Sequence, residues 1–166
     1  MKCSPMIDKP EIRVAEHEAA HAVAVCELGM SLSSISLESS TSGVTGRPIR
    51  GYCDYSCFPL PGESLKDTCT RKAIVAYIAS AAEAAIYGEN ALAIIAEQDD
   101  DRERVAQCVE LLKAEGLSDA EISDWKLEAW EKAQVMAREK MPAIQSASRC
   151  LVAQRELTGD KVKELI

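Results

Sequence analysis

A nearly unbroken apolar stretch close to the start of the chain predicts the first helix, from about Glu11 to Leu28. Pro10 precedes this stretch and Gly29 follows it, and these residue types favour the beginning and the end of a helix. Between Ala19 and Cys26 the only polar side chain is that of His21. Because such a helix is apolar on all sides, we expect it to lie in the centre of the core.

Alternating polar and apolar residues then predict a short strand from Ser33 to Glu38. The polar segment Ser39–Pro48 contains glycine and proline and predicts a loop. Residues Ile49–Tyr55 are expected to pair back on the first strand, which gives a small antiparallel sheet. The segment Phe58–Gly62 contains two prolines and is expected to be irregular and exposed.

The remainder of the chain has the apolar spacing and the capping residues of helices. Gly88 is expected to end one helix, and Ser118 with Glu121 has the pattern of a capping box that begins another. The predicted helices cover Ser64–Tyr87, the segment from the acidic residues Asp99–Asp101 to Ala114, Ser118–Lys140, the segment from Pro142 to Leu157, and a short turn at Thr158. The fold class is therefore predicted to be mainly α with a minor antiparallel sheet and a C-terminal helical bundle. Trp125 and Trp130 are expected to pack where the C-terminal helices meet.

Composition and charge narrow the class of protein further. The chain has 166 residues, which predicts a single domain over residues 1–166. Aromatic residues make up only 4%, so the core is expected to be aliphatic and rich in alanine. The formal net charge of −8 argues against nucleic-acid or anionic-membrane partners, because both would repel the chain.

The sequence also suggests a cellular compartment. No apolar run reaches the roughly 18 residues of a membrane span, and residues 1–10 do not resemble a signal peptide. The seven cysteines are an odd number and are expected to be reduced thiols. We therefore expect a cytoplasmic protein without a membrane partner.

The candidate chemistry lies in the first helix, as the motif His17-Glu18-Ala19-Ala20-His21. Residues four apart lie on one face of a helix with Cβ atoms roughly 5–6 Å apart. Two imidazoles placed in this way can both reach one zinc ion at about 2.0–2.1 Å. Glu18 flanks that face, where it can act as a general base towards the water that attacks a peptide carbonyl.

The alternative is that the two histidines are ordinary core residues. Short motifs of this kind also arise by chance, but the chain has only two histidines and both belong to the motif. Ordinary core histidines would also place three ionisable side chains inside an apolar helix without any compensating gain. The motif therefore favours a zinc site.

A catalytic zinc site needs a third protein ligand and an open fourth position. No histidine remains, so the third ligand is expected to be a carboxylate or a thiolate. Asp101 is the first candidate, because it precedes the apolar residue Val105 by four and shares the inner face of that helix. Asp100 and Asp99 suit the solvent-exposed helix start better, and they remain alternatives together with Glu83.

Four segments of the sequence, in the same order, resemble the peptidase domain of the FtsH family of ATP-dependent zinc proteases. Val14–Ala22 resembles the H-E-A-G-H-A helix of that family, and Ala81–Gly88 resembles its R-A-A-E-E-hydrophobic-F-G helix end. Asp101–Val105 is similar to the N-D-L-x-R-A segment, in which the aspartate is the third zinc ligand. Leu157–Val162 resembles the terminal L-x-G-D-E-V segment.

The resemblance implies a zincin-like metalloendopeptidase that acts on unfolded polypeptide. It implies that His17, His21 and Asp101 bind Zn²⁺ and that Glu18 is the general base. The likeness covers the protease half of the family alone, and the chain has no G-x-x-x-x-G-K-[S/T] phosphate loop. We therefore expect ATP-independent cleavage of flexible chains and leave open a separate ATPase partner and a homo-oligomer. The alternative function is a non-catalytic regulatory or partner-binding module on the same fold.

Three further features have both a functional and a structural interpretation. Cys53 and Cys57 suggest a second metal site, but residues four apart on an extended strand lie about 13 Å apart, which favours free thiols. Glu83 is either a group that orients a zinc histidine or an ordinary glutamate. The strand Ser33–Glu38 is either a plain paired strand or one that binds an extended peptide by β-addition.

Overall fold

The computed structural model describes residues 9–166, and this part of the chain contains seven helices and three strands. Residues 1–8, on which most of the expectation about a signal peptide rests, lie outside the described residues. The elements in chain order are α1 (Lys9–Glu27), β1 (Ser31–Thr41), β2 (Pro48–Ser56), α2 (Leu65–Tyr87), α3 (Ala91–Glu97), α4 (Asp99–Ala114), α5 (Asp119–Glu139), α6 (Met141–Gln154), β3 (Glu156–Thr158) and α7 (Gly159–Lys163).

Helix α1 forms the centre of the structure, as its apolar sequence predicts. It packs against the helices α2 and α6 and against the strands β1 and β2. The residues Ala19, Val23 and Val25 are completely buried. The consequence is that His17, Glu18 and His21 are held on a helix fixed by neighbours on several sides.

The sheet has the strand order β2-β1-β3, and both pairings are antiparallel. Ile35, at the centre of β1, lies opposite Cys53 on β2 and opposite Leu157 on β3. The predicted pairing of the first two strands is confirmed. Strand β1 is longer than predicted and extends to Thr41, so the connecting loop is correspondingly shorter.

The third strand was not predicted, and the expected helix up to Leu157 is wrong at its end. Helix α6 ends at Gln154, and Arg155 adopts a left-handed conformation with φ of 67°. Leu157 then enters the core with 2% exposure. A Cβ atom on Gly159 would lie only 1.9 Å from the carbonyl oxygen of Leu32. Glycine at this position therefore allows the chain to pass directly against β1.

Helix α2 begins and ends where the sequence predicts. The Ser64 hydroxyl accepts a hydrogen bond from the backbone N–H of Asp67, and Gly88 ends the helix with φ of 65°. The predicted capping box of Ser118 and Glu121 is also present at the start of α5. These local signals are strong because each satisfies backbone groups that a helix end leaves without partners.

The observed contacts of the two tryptophans differ from those predicted for the C-terminal helices. The indole N–H of Trp125 donates to the hydroxyl of Thr70 on α2 at 2.9 Å. The ring of Trp130 packs edge-to-face on Tyr77, also on α2, with ring centres 5.6 Å apart. Helix α5 therefore packs mainly on α2, while α6 packs on α1. The last helices cover the two central helices instead of forming a bundle with each other.

The structure is thus mainly helical with a small antiparallel sheet, which confirms the predicted fold class at that level. The segment Phe58–Gly62 is irregular, and the Phe58 side chain is 72% exposed, as expected. Within residues 9–166, none of the helices combines the length and the apolar character needed to cross a membrane.

Candidate metal centre

The two histidines of α1 and one aspartate of α4 form a compact cluster. The Nε2 atoms of His17 and His21 lie 3.0 Å apart. The Asp101 carboxylate lies opposite. Its Oδ2 atom is 3.4 Å from Nε2 of His17, and its Oδ1 atom is 3.4 Å from Nε2 of His21. Four ligands arranged tetrahedrally at zinc distances of about 2.0–2.2 Å are separated by about 3.3–3.6 Å. The two nitrogen–oxygen separations match that spacing and the nitrogen–nitrogen separation of 3.0 Å is shorter, so the three residues form a candidate metal-binding triad.

The other nitrogen atom of each imidazole determines the tautomer. Nδ1 of His17 lies 2.7 Å from a carboxylate oxygen of Glu83, and Nδ1 of His21 lies 2.7 Å from the backbone carbonyl of Val75. Both partners are acceptors, so both Nδ1 atoms carry a proton. The two Nε2 atoms face each other at 3.0 Å, and either a proton on one ring or a shared metal cation removes the repulsion between their lone pairs.

Asp101 is buried, with 7% exposure, and its Oδ2 atom has no hydrogen-bond partner among residues 9–166. Burial by itself would raise the pKa of this carboxyl group, but the neighbouring His21 and His17 outweigh burial and hold the pKa well below its usual range. The carboxylate is therefore ionised at neutral pH. An ionised, buried oxygen without a hydrogen bond fits a metal ligand, because a bound cation would satisfy it.

The other two residues of the acidic triplet have different partners. Asp100 accepts hydrogen bonds from the hydroxyl groups of Ser42 and Thr45, at 2.6 and 2.9 Å. Asp99 pairs with Arg47 and Arg102 near the surface. The structure thus brings Asp101 alone of the three to the histidines, and the other two attach the β1–β2 loop to the start of α4.

Glu83 lies behind His17 and does not join the cluster. Its carboxylate binds Nδ1 of His17 on one side and the guanidinium of Arg13 on the other. Burial favours the neutral acid, but His17 and Arg13 outweigh it and lower the pKa of Glu83. For His17, burial opposes the charged ring, but Asp101 and Glu83 raise its pKa well above the usual value. Of the two interpretations of Glu83, the contacts match a group that orients a histidine.

Glu18 follows His17 directly and lines the cleft beside the cluster, with 7% exposure. Burial raises the pKa of its carboxyl group, although the positive charges of His17, His21 and Arg104 oppose this shift. A glutamate with a raised pKa is a better proton acceptor at neutral pH than one in bulk water. Both features are compatible with the role of general base that the sequence predicts for Glu18.

Gly51 is a residue of this site that the sequence analysis overlooked. Its φ of 74° is in the left-handed region, and a Cβ atom there would lie 2.7 Å from Val14 and 3.2 Å from Cγ of Glu18. Glycine therefore allows β2 to approach α1 closely beside the proposed base. The signal was present in the sequence, because a single glycine inside a predicted strand often marks a close backbone approach.

The cleft has a volume of about 470 Å³ and lies between α1, β2 and the start of α4. Strand β1 lies behind it and is paired on both sides at Ser34–Ser36, so the segment proposed for peptide addition is a plain central strand there. Strand β2 is an edge strand of the sheet in the described part of the chain and also lines the cleft. Cys53 and Cys57 are free thiols, and the residues described here contain no second cluster suited to a metal.

No protein-family model matches the chain, and a comparison with curated proteins finds no match. The residues and the geometry of the cleft are therefore the basis for assigning a function.

Proposed function

We propose that this chain is a zinc-dependent endopeptidase with a zincin-like site. The observation that carries the proposal is the cluster of His17, His21 and Asp101, whose ligand atoms lie within 4.8 Å of one another, with Glu18 in the same cleft. Two imidazoles and one carboxylate form a typical donor set for catalytic zinc. A structural site would need a fourth protein ligand, whereas the cluster among the described residues has three and borders an open cleft.

The chemistry divides between the metal and the protein. A bound zinc ion would act as a Lewis acid that lowers the pKa of water and polarises the carbonyl group of the substrate. Glu18 accepts the proton of the attacking water and then passes it to the amine of the leaving peptide. Glu83 keeps Nδ1 of His17 protonated, and the carbonyl of Val75 does the same for His21. Both Nε2 atoms are thereby kept free to bind the metal.

The edge strand suggests how a substrate is held. Strand β2 forms hydrogen bonds with β1 on one side and is the outermost strand of the sheet that residues 9–166 form on the other. An extended peptide added along this free edge would run through the cleft past the metal cluster. Only a flexible or unfolded segment can adopt this extended conformation, because a folded domain rarely exposes its backbone. The proposed substrates are therefore unfolded polypeptides.

The sequence resemblance to the FtsH peptidase domain points to the same assignment, since Asp101 stands in the segment that is similar to the one with the family's third ligand. It also suggests a separate ATPase as a partner for folded substrates. The alternative is a non-catalytic module on the same fold, which would bind zinc or a partner without hydrolysing peptides.

Hydrolysis of casein by the purified, zinc-loaded chain tests the proposal. We expect cleavage that stops on addition of a zinc chelator, returns when zinc is restored and does not depend on ATP. A stable folded protein should resist the chain, whereas a destabilised variant of it should be cut. A zinc-loaded chain that leaves casein intact would favour the non-catalytic module.

A further inference from the structure

Arg104 lines the same cleft as the metal cluster but has no part in the mechanism above. It lies on α4 three residues after Asp101, so its Cβ atom is about 5–6 Å from that of the aspartate on the same side of the helix. The side chain is half-buried. A peptide held at the metal would therefore pass within reach of its guanidinium group.

The contacts of Arg104 hold its position without neutralising its charge. One guanidinium N–H donates to the hydroxyl of Tyr55 at 3.4 Å, and the guanidinium carbon lies 5.3 Å from the centre of the tyrosine ring. Among residues 9–166, no carboxylate lies within ion-pair distance of Arg104. Of the other three arginines of the cleft, Arg13 pairs with Glu83 and Glu89, and Arg47 pairs with Asp99. Arg50 also has no ion pair among residues 9–166, but it is exposed, whereas Arg104 is half-buried and contacts Tyr55.

An arginine positioned in this way is ready to bind a carboxylate. Guanidinium has five N–H donors in a planar fork that matches the two oxygen atoms of a carboxylate, and only one of them is used by Tyr55. The chain as a whole carries a formal charge of −8 and would repel acidic peptides. Arg104 supplies a positive charge in a cleft that Glu18 and Asp101 also line, so it offers a local partner for a carboxylate against the overall negative charge.

We propose that Arg104, held by Tyr55, binds a carboxylate of the peptide substrate and makes the cleft selective for acidic segments. This inference rests on the proposed peptidase function and names the substrate class of that site. The carboxylate comes either from an acidic side chain near the scissile bond or from the C-terminus of the peptide. Both sources offer the same two oxygen atoms, and peptide chemistry distinguishes them.

Binding measurements test the proposal without relying on turnover. The protein is the zinc-loaded Glu18→Gln variant, which is expected to bind peptide without cleaving it. The probes are fluorescent peptides of one sequence with a central Glu or Gln, each with a free or an amidated C-terminus. Fluorescence anisotropy should give roughly ten- to hundredfold tighter binding for a peptide with the recognised carboxylate, the range expected of charge-assisted hydrogen bonds.

Adding Arg104→Gln should abolish this preference. The matched control is Arg102→Gln, which removes the same charge from the same helix outside the cleft and should leave the preference intact. A preference for Glu assigns the carboxylate to a side chain, and a preference for the free C-terminus assigns it to the chain end. Equal binding of all four peptides would overturn the proposal, as would a loss of preference in the Arg102 variant.

Two further measurements guard against misinterpretation. Arg104→Lys keeps the charge but not the planar fork. We expect its preference for the peptide with the recognised carboxylate to be several-fold weaker than that of arginine. An undiminished preference would contradict the proposed geometry. Wild-type turnover of the same peptides is measured separately. If the wild type cleaves none of them, the peptidase function fails, while the binding data still decide the role of Arg104.

Discussion

Replacement of Asp101 by asparagine tests whether this residue binds the metal, because the substitution keeps the shape of the side chain and removes its charge. Each oxygen of the native carboxylate lies 3.4 Å from one imidazole Nε2 atom. Asparagine offers a neutral oxygen in place of an anionic ligand. Loss of a group behind the ligands typically weakens metal binding 10- to 100-fold, so loss of a ligand itself should weaken it by at least about 100-fold.

This loss of affinity can be expressed as a change in thermal stability. A ligand in excess stabilises the folded state in proportion to the logarithm of its concentration over Kd. A hundredfold weaker Kd therefore removes about 2.7 kcal/mol of stabilisation by zinc. For a chain of this length each kcal/mol corresponds to roughly 2–4 °C in Tm. The zinc-induced rise in Tm should thus be smaller by about 5–11 °C in Asp101→Asn than in the wild type.

The assay is differential scanning calorimetry of each protein with zinc and with chelator, at one fixed zinc concentration. Comparing the zinc-induced shift within each protein cancels the effect of the substitution on the metal-free form. Asp99→Asn and Asp100→Asn are the controls, because their carboxylates pair with Arg47 and with Ser42 instead. An undiminished zinc shift in Asp101→Asn, or its loss in a control, would refute the assignment of the third ligand.

Three further substitutions test other parts of the structure. Glu83→Gln should weaken zinc binding about 10- to 100-fold by loosening His17, as measured by competition with a zinc-binding dye. Gly51→Ala should lower the free energy of unfolding, measured by chemical denaturation, by about 1–3 kcal/mol from backbone strain, and steric overlap should lower it further. Gly46 has a similar φ and open space around it, so Gly46→Ala is the control and should lower the free energy of unfolding less. Glu63 has a pKa of about 2 instead of 4.5, chiefly because it binds a buried arginine. Glu63→Gln should therefore lower Tm most above pH 4.5, and this difference should vanish as the pH falls from 4.5 to 2; a difference independent of pH would contradict the ion pair.

Most of the helices and the position of Asp101 could be predicted because they depend on local patterns. The apolar sequence of α1 predicts a buried central helix, and Ser64 and Gly88 predict the two ends of α2. Asp101 shares the inner face of α4 with Val105, and this periodicity singled it out from its two neighbours. In the structure both residues are buried.

Features that depend on contacts between distant segments were not predicted. Strand β3 has three residues, which is too short for an alternating pattern, and it forms because Leu157 can enter the core beside β1. The pairing of Arg104 with Tyr55 joins residues 49 positions apart in the sequence. Trp125 was expected to contact the last helices, but its hydrogen-bond partner Thr70 lies on α2, 55 residues earlier in the chain.

The central claim is that one metal site and one base hydrolyse peptides, and the Glu18→Gln variant tests it most directly. Zinc content and casein turnover are measured on the same samples of wild type and variant. We predict one zinc ion per chain in both proteins and a loss of turnover by at least about 100-fold in the variant, since glutamine cannot accept the proton. Wild-type turnover in a variant that retains its zinc would contradict the account.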